Sequence, residues 1–405
     1  MFRHVVVAAV FVLAASCGLL SCGRAGDDGA RAQRARAADE VAELSGRLQA
    51  LLDSLVSAHG NVRSGVLLVE GPDFEWEGAS GVAFAESESP ILPHDQFVVN
   101  SVAKMMTATI ALRLVEAGDF ALDDPIARYL PDSLVAGLNV YEGQEYSGTI
   151  TLRHLLSHTS GIEDDWRCAD FFDLVATDSA RRWTPEETIQ FVKDRCAPRF
   201  RPGDGFHYSD TGYNVLGLLL QSVTGRALHE LYREILLDPL GMDHTYRPAY
   251  ESARPSLPGR KPSERYLDDI ECTLWPSVMT ADWGGGGLVS TAQDLDRFLR
   301  AFVHNEIFQD PATRDEMFDW VESGPFHNYG LGISRVLFDR SESPLHAGLG
   351  EIWGHAGSSH VFMFYWPRED ITMVGTLNQL DVNGSLYDTL AAIMRTILDA
   401  KSAGR

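Results

Sequence analysis

The chain is expected to fold as an α/β (α+β) unit in which one antiparallel sheet, assembled from both ends of the sequence, carries an inserted, mainly helical middle. Three observations point there. Near the N-terminus an apolar helical repeat is followed by two strand-like segments around Gly71-Pro72-Asp73. Near the C-terminus two strand-like segments surround Pro367-Arg368-Glu369-Asp370 and a helical repeat follows. Between about residues 100 and 320 the signals are mainly helical with long loops, which suits a helical region set into a shared sheet.

Taken in order, Arg3 precedes a short apolar run from Val5 to Ala15, which suits a secretory signal better than a membrane span. The run ends in Leu19-Leu20-Ser21-Cys22, which resembles a bacterial lipoprotein processing site with Cys22 as the lipidated residue. Residues 1–21 are therefore expected to be a leader outside the fold, and export to the periplasm or cell surface with a lipid anchor is expected. An ordinary cleaved signal, with Cys22 incidental, is the other reading. Residues 22–38 are rich in Arg, Ala, Gly and Asp without apolar periodicity and are expected to be a flexible tether. The folded domain is then 39–400.

Within it, Val41, Leu44, Leu48, Leu51, Leu52, Leu55 and Val56 predict a helix from Glu40 to His59. Strands are predicted over Val62 to Glu70 and Phe74 to Phe84, then over Val361 to Trp366 and Ile371 to Asn378, with a last helix from Leu386 to Ala400. Tyr329-Gly330-Leu331-Gly332-Ile333 is expected to open another strand. Phe97-Val98-Val99 reads as an extended approach to a helix that Asn100 or Ser101 can cap and that Gly118 ends.

A net charge of −23 argues against nucleic acid as a partner, because its phosphates would be repelled. Without the leader, Cys168, Cys196 and Cys272 remain, and the first two flank a helical stretch and are the expected disulfide. No Cys-x-x-Cys, His-Glu-x-x-His or His/Cys cluster with ligand spacing occurs, so neither a metal nor a cofactor is expected.

The chemistry starts at Ser101 and Lys104. Three residues apart on a helix, a hydroxyl and an amine share one face, and the hydroxyl lies at a helix N-terminus where backbone N–H groups favour developing negative charge. That is a nucleophile beside a base, although a capping serine and a solvated lysine would have the same spacing. In Tyr208-Ser209-Asp210, Asp210 can cap the following helix while Tyr208 packs beneath it. In His355-Ala356-Gly357-Ser358, a glycine would let a substrate approach backbone.

Read together with Leu152-Arg153-His154-Leu155-Leu156-Ser157-His158 and the run Gly284-Gly285-Gly286-Gly287, these segments resemble, in order and separation, the serine β-lactamase and D,D-peptidase superfamily, in its class C-like branch with many esterases. The resemblance covers residues 40 to 400 and implies a β-lactamase/transpeptidase-like fold. It implies Ser101 as nucleophile, Lys104 as its proton acceptor and Tyr208 as a partner in proton traffic. It also implies that His355 to Gly357 match the Lys/His-x-Gly motif, with the backbone N–H groups of Ser101 and Ser358 as oxyanion hole. His154 and His158 are read as bracing the site.

Two positions depart from that pattern. Asp210 stands where the family usually has asparagine and cannot donate to a substrate carbonyl, and if ionised it would favour a protonated Lys104. His355 replaces the lysine of true β-lactamases, which weakens the hold on a substrate carboxylate. The expected function is an exported serine hydrolase acting through an acyl-enzyme on an ester or a D-amino-acid peptide or amide, including peptidoglycan-derived substrates. A β-lactamase and a barely catalytic penicillin or cell-wall-fragment receptor are the alternatives.

Overall fold

The computed structural model describes residues 23–58, 60–382 and 384–403; the expected leader and Cys22 lie outside them. Helix α1 spans Gly23–Ala58. It therefore begins well before Glu40 and takes in nearly all of the segment expected to be a tether. That expectation rested on missing apolar periodicity, yet Ala30 to Ala38 consists of alanine, arginine and glutamine, strong helix formers that need no buried face. Further along, Leu44, Leu48 and Leu52 are buried on one side.

Among the described residues, nine strands form one sheet: β1 (Ser64–Gly71), β2 (Phe74–Phe84), β3 (Ser89–Pro90), β4 (Val321–Gly324), β5 (His327–Tyr329), β6 (Ser334–Leu337), β7 (Glu351–Gly357), β8 (Val361–Trp366) and β9 (Ile371–Thr376). Their order is β4-β5-β6-β7-β8-β9-β1-β2-β3, with antiparallel neighbours throughout. The two chain ends meet where β9 pairs with β1, Val66 opposite Thr376 and Leu68 opposite Val374. The expected strand at Tyr329 to Ile333 is corrected: Gly330 to Ile333 form the bend joining β5 to β6. Gly332 sits there with φ +76, where a Cβ would collide with Ala108. Two glycines in five residues favour a turn over a strand interior.

Strand alternation divides the core. Leu67, Val69, Phe362, Phe364 and Trp366 pack against α1 and the last helix, α6 (Leu386–Ala403), through Leu390, Ile393, Met394 and Ile397. Val66, Leu68, Met363 and Val374 face the inserted region. That region contributes α2 (Ala103–Ala117), α3 (Pro185–Arg195), α4 (Asp210–Thr224) and α5 (Ala292–Val303). Helix α2 is buried continuously from Ala103 to Leu112, ends at left-handed Gly118 as expected, and runs behind the sheet as the element from which the site is built.

A disulfide joins Cys168 to Cys196 across 28 residues that hold a short helix, Phe171–Thr177, and α3; Cys272 is free and buried. Closing a loop of that length restricts the unfolded chain by about 3–4 kcal/mol. Replacing both cysteines by serine is expected to lower unfolding free energy by about that amount in urea titrations. Unchanged stability would show that the loop is held by packing alone.

Candidate active site

A short strand, Phe97–Val98, pairs with Val289–Ser290 and delivers the chain to a 3-10 turn, Asn100–Val102, that feeds α2. Neither Asn100 nor Ser101 caps the helix through its side chain. Asn100 instead adopts φ 51, donates to the Ser358 carbonyl at 2.7 Å and Ser359 Oγ at 2.9 Å, and accepts from buried Arg265 at 2.8 Å. These bonds tie the residue before Ser101 to the segment just after β7. Ser101 keeps a partly open face while Val102 to Leu112 are buried.

Lys104 is fully buried and donates to Ser101 Oγ at 3.1 Å and the Gly285 carbonyl at 3.2 Å. Its third interaction is an ion pair with Asp210. The glycine run is thus part of the site, since a Cβ on Gly285 would strike Lys104 Nζ. The Tyr208 hydroxyl interacts with both Ser101 and Lys104, and the Lys104 ammonium lies 5.1 Å from the Tyr208 ring centre.

Asp210 is not the helix cap. Ser209 takes that place, accepting from the Gly212 N–H at 3.0 Å, and the shift of one residue turns the Asp210 carboxylate onto Lys104. The reading of Asp210 as the cap of this helix is therefore overturned. Burial alone would strip the ammonium of its charge, but Asp210, with Asp282 and Tyr208 behind it, outweighs burial and holds the Lys104 pKa well above the ordinary value. Asp164 and Asp165 complete the acidic wall, their carboxylates and that of Asp210 lying within 4.8 Å of one another. Burial, with the charge of Asp210, pushes both Asp164 and Asp282 up to about 7. Burial and the neighbouring Asp164 and Asp210 push Asp165 well above its usual range, so Asp165 holds its proton. Burial also raises the Tyr208 phenol, which makes it a proton donor at neutral pH.

His158 braces this arrangement. Its ring lies 4.2 Å from that of Tyr208, 4.7 Å from Tyr329 and 5.1 Å from Tyr213, and its Nδ1 accepts the Ser209 N–H at 3.1 Å. Burial and the Lys104 charge keep it neutral. His154 lies apart, completing the capping box of helix Leu152–Leu156 with Thr151. His355 is buried in β7, with Nδ1 bonded to the Ala356 carbonyl at 2.7 Å and Nε2 to the Tyr329 hydroxyl at 2.8 Å. Burial lowers its pKa to about 3, so it offers no cation, and both ring nitrogens already have protein partners.

At the end of β7, Gly357 passes against the nucleophile's own backbone: a Cβ there would stand 2.9 Å from the Ser101 nitrogen. This brings the segment leading to Ser358 beside Ser101, as a two-donor oxyanion site requires. The sequence reading found Ser101, Lys104, Tyr208, Asp210 and the His355–Ser358 segment, and the fold gathers them. It missed Asn100 as a strand tie, Arg265, Tyr329, Asp164 and Asp282. The acidic triplet Glu163-Asp164-Asp165 and the aspartate just before the glycine run were the available signals.

A buried lysine against a serine, a tyrosine across both and a glycine-lined strand end define a β-lactamase-fold hydrolase site. The chain belongs to the beta-lactamase family, whose sequence profile matches residues 48–395. It is 28% identical over 357 residues to esterase EstB of Burkholderia gladioli, covering 78% of this chain and 87% of that protein. It is 28% identical over 223 residues to the D-alanyl-D-alanine-carboxypeptidase/endopeptidase AmpH of Escherichia coli, covering 54% of this chain and 52% of that one. A D-stereospecific amidohydrolase from Streptomyces superposes with a TM-score of 0.71 at 25% identity, covering 86% of this chain and 98% of the other. These relatives are hydrolases of one fold with different substrates.

Proposed function

We propose that the protein is an exported, lipid-anchored serine hydrolase that forms an acyl-enzyme on Ser101 from an ester or a D-amino-acid amide or peptide. The observation that carries this reading is the 3.1 Å contact between Lys104 Nζ and Ser101 Oγ inside a buried site. Once Lys104 has lost a proton it can accept that of Ser101 as Oγ bonds to the substrate carbonyl carbon. The carbonyl oxygen becomes an oxyanion facing the backbone N–H groups of Ser101 and Ser358. As the bond to the departing oxygen or nitrogen breaks, Tyr208 supplies that atom's proton and is reprotonated from Lys104. Water then attacks the acyl carbon and gives one proton to neutral Lys104, which returns it to Ser101 Oγ as the bond from Oγ to the acyl carbon breaks and the acid leaves. The extent of similarity to an esterase supports an ester substrate.

The receptor reading draws support from the Lys104–Asp210 ion pair, which keeps the base protonated and would slow every proton transfer. Purified protein treated with a p-nitrophenyl ester and with a fluorophosphonate separates the two. Hydrolysis predicts one fluorophosphonate adduct per chain, ester turnover many times over, and loss of both in Ser101→Ala. A receptor would be acylated once without turnover, and labelling that survives Ser101→Ala would refute the nucleophile.

The charge on Lys104 also sets a pH dependence. With its pKa raised, the neutral amine is scarce at pH 7, so fluorophosphonate labelling should climb about tenfold per pH unit through the alkaline range. Asp210→Asn removes the main opposing charge and lets burial pull the pKa down. The rising limb should move toward acid by at least about one unit, with labelling at pH 7 faster by about tenfold. An unmoved limb would show that Asp210 does not control the lysine.

A further inference from the structure

Beside Tyr208, a cavity of about 310 Å³, whose lining includes none of the acidic residues around Lys104, opens between the β4–β6 extension of the sheet, the end of β7 and the start of α6. Tyr208, His355 and Ala356 line it together with Ser323, His327 and Tyr387. Its place fixes which half of a substrate can enter. A group that departs from Ser101's target must lie against the acid that protonates it, and the donor with a raised phenol pKa, Tyr208, lines this cavity.

Among the described residues, no lysine, arginine, aspartate or glutamate lines it. His355 has both nitrogens engaged inside the protein. His327 lies against Phe326 and Tyr387, at ring separations of 4.1 Å and 4.4 Å, and burial lowers its pKa to about 4. Its Nε2 is buried and, among the described residues, has no hydrogen-bond partner, so no neighbouring carboxylate holds the ring as a cation. Phe206, Tyr208, Tyr329 and Tyr387 supply aromatic surface. A carboxylate entering here would lose its hydration with no cation to replace it.

We infer that this cavity receives the departing alcohol or amine and selects uncharged, aromatic groups over those that end in a carboxylate. The inference rests on Ser101 as the nucleophile and narrows the substrate class: aryl or benzyl esters and amides fit, whereas peptides that release a free C-terminal amino acid do not.

Two acetate esters test it, methyl 4-acetoxybenzoate and 4-acetoxybenzoate. They leave the same acetyl group on Ser101 and differ in the charge of the phenol released. Because kcat/KM reports the chain of steps through acylation, each value is divided by the ester's own rate of alkaline hydrolysis. The neutral ester should be favoured by at least about tenfold. His327→Lys, or Ser323→Lys should the first fail to fold, should bring the ratio to about one or below. A ratio near one in the parent, or one that neither lysine moves, overturns the inference while Ser101→Ala remains inactive and the nucleophile stands. Full turnover of both esters by Ser101→Ala would instead overturn the nucleophile and, with it, the assignment of this cavity.

Discussion

A buried ammonium has to be matched by anions, and the ion pair between Lys104 and Asp210 is the constraint around which this molecule is organised. Lys104 comes from α2, Asp210 from the first turn of α4, Asp164 from the loop before the disulfide and Asp282 from the approach to the glycine run. No two of these share a secondary-structure element, so the charge is balanced only in the folded chain. Removing the Lys104 amine would leave the acidic groups around it without their cation inside the protein, whereas replacing Asp210 by a neutral isostere lets the lysine shed its proton.

The groups around that pair are kept electrically quiet. His158 and His355 are neutral because they are buried and face Lys104, and Tyr208 stays protonated because it is buried. The Lys104–Asp210 pair is thereby the charged part of the site, and the cavity lined by Tyr208 and Tyr387 is aromatic and carries no charged side chain. The sheet makes this division possible: β7 brings His355 to Gly357 past Ser101, and the tie from Asn100 to Ser358 holds the two segments together. The inserted region then supplies the acidic half, and the segment before α4, β5 and the start of α6 supply the aromatic half.

Much of this was legible in the chain. Both hairpins announced themselves through Pro72-Asp73 and Pro367 to Asp370, and the sheet shared by the two ends followed from their mirrored order. The Ser101–Lys104 pair was visible from helical spacing. The orientation of Asp210 was not, because an N-cap and an N1 residue differ by one position and Ser209 and Asp210 are both good caps. The start of α1 was missed because periodicity was weighed and propensity was not. The inward turn of His355 onto Tyr329, and the convergence of Asp164 and Asp282, depend on partners far away in sequence that no local spacing encodes.

The chain has only four lysines, at 104, 193, 261 and 401, so protein labelled at the lysine ε-carbon gives few enough NMR signals for each to be followed through a pH titration. The signal lost in Lys104→Arg identifies residue 104. If Asp210 holds the buried amine as an ammonium, that signal keeps its charged position beyond about pH 10.4, the ordinary value of a lysine side chain. A Lys104 signal that titrates at or below about pH 8 would mean that burial outweighs the carboxylates, and the electrostatic account of this site would be wrong.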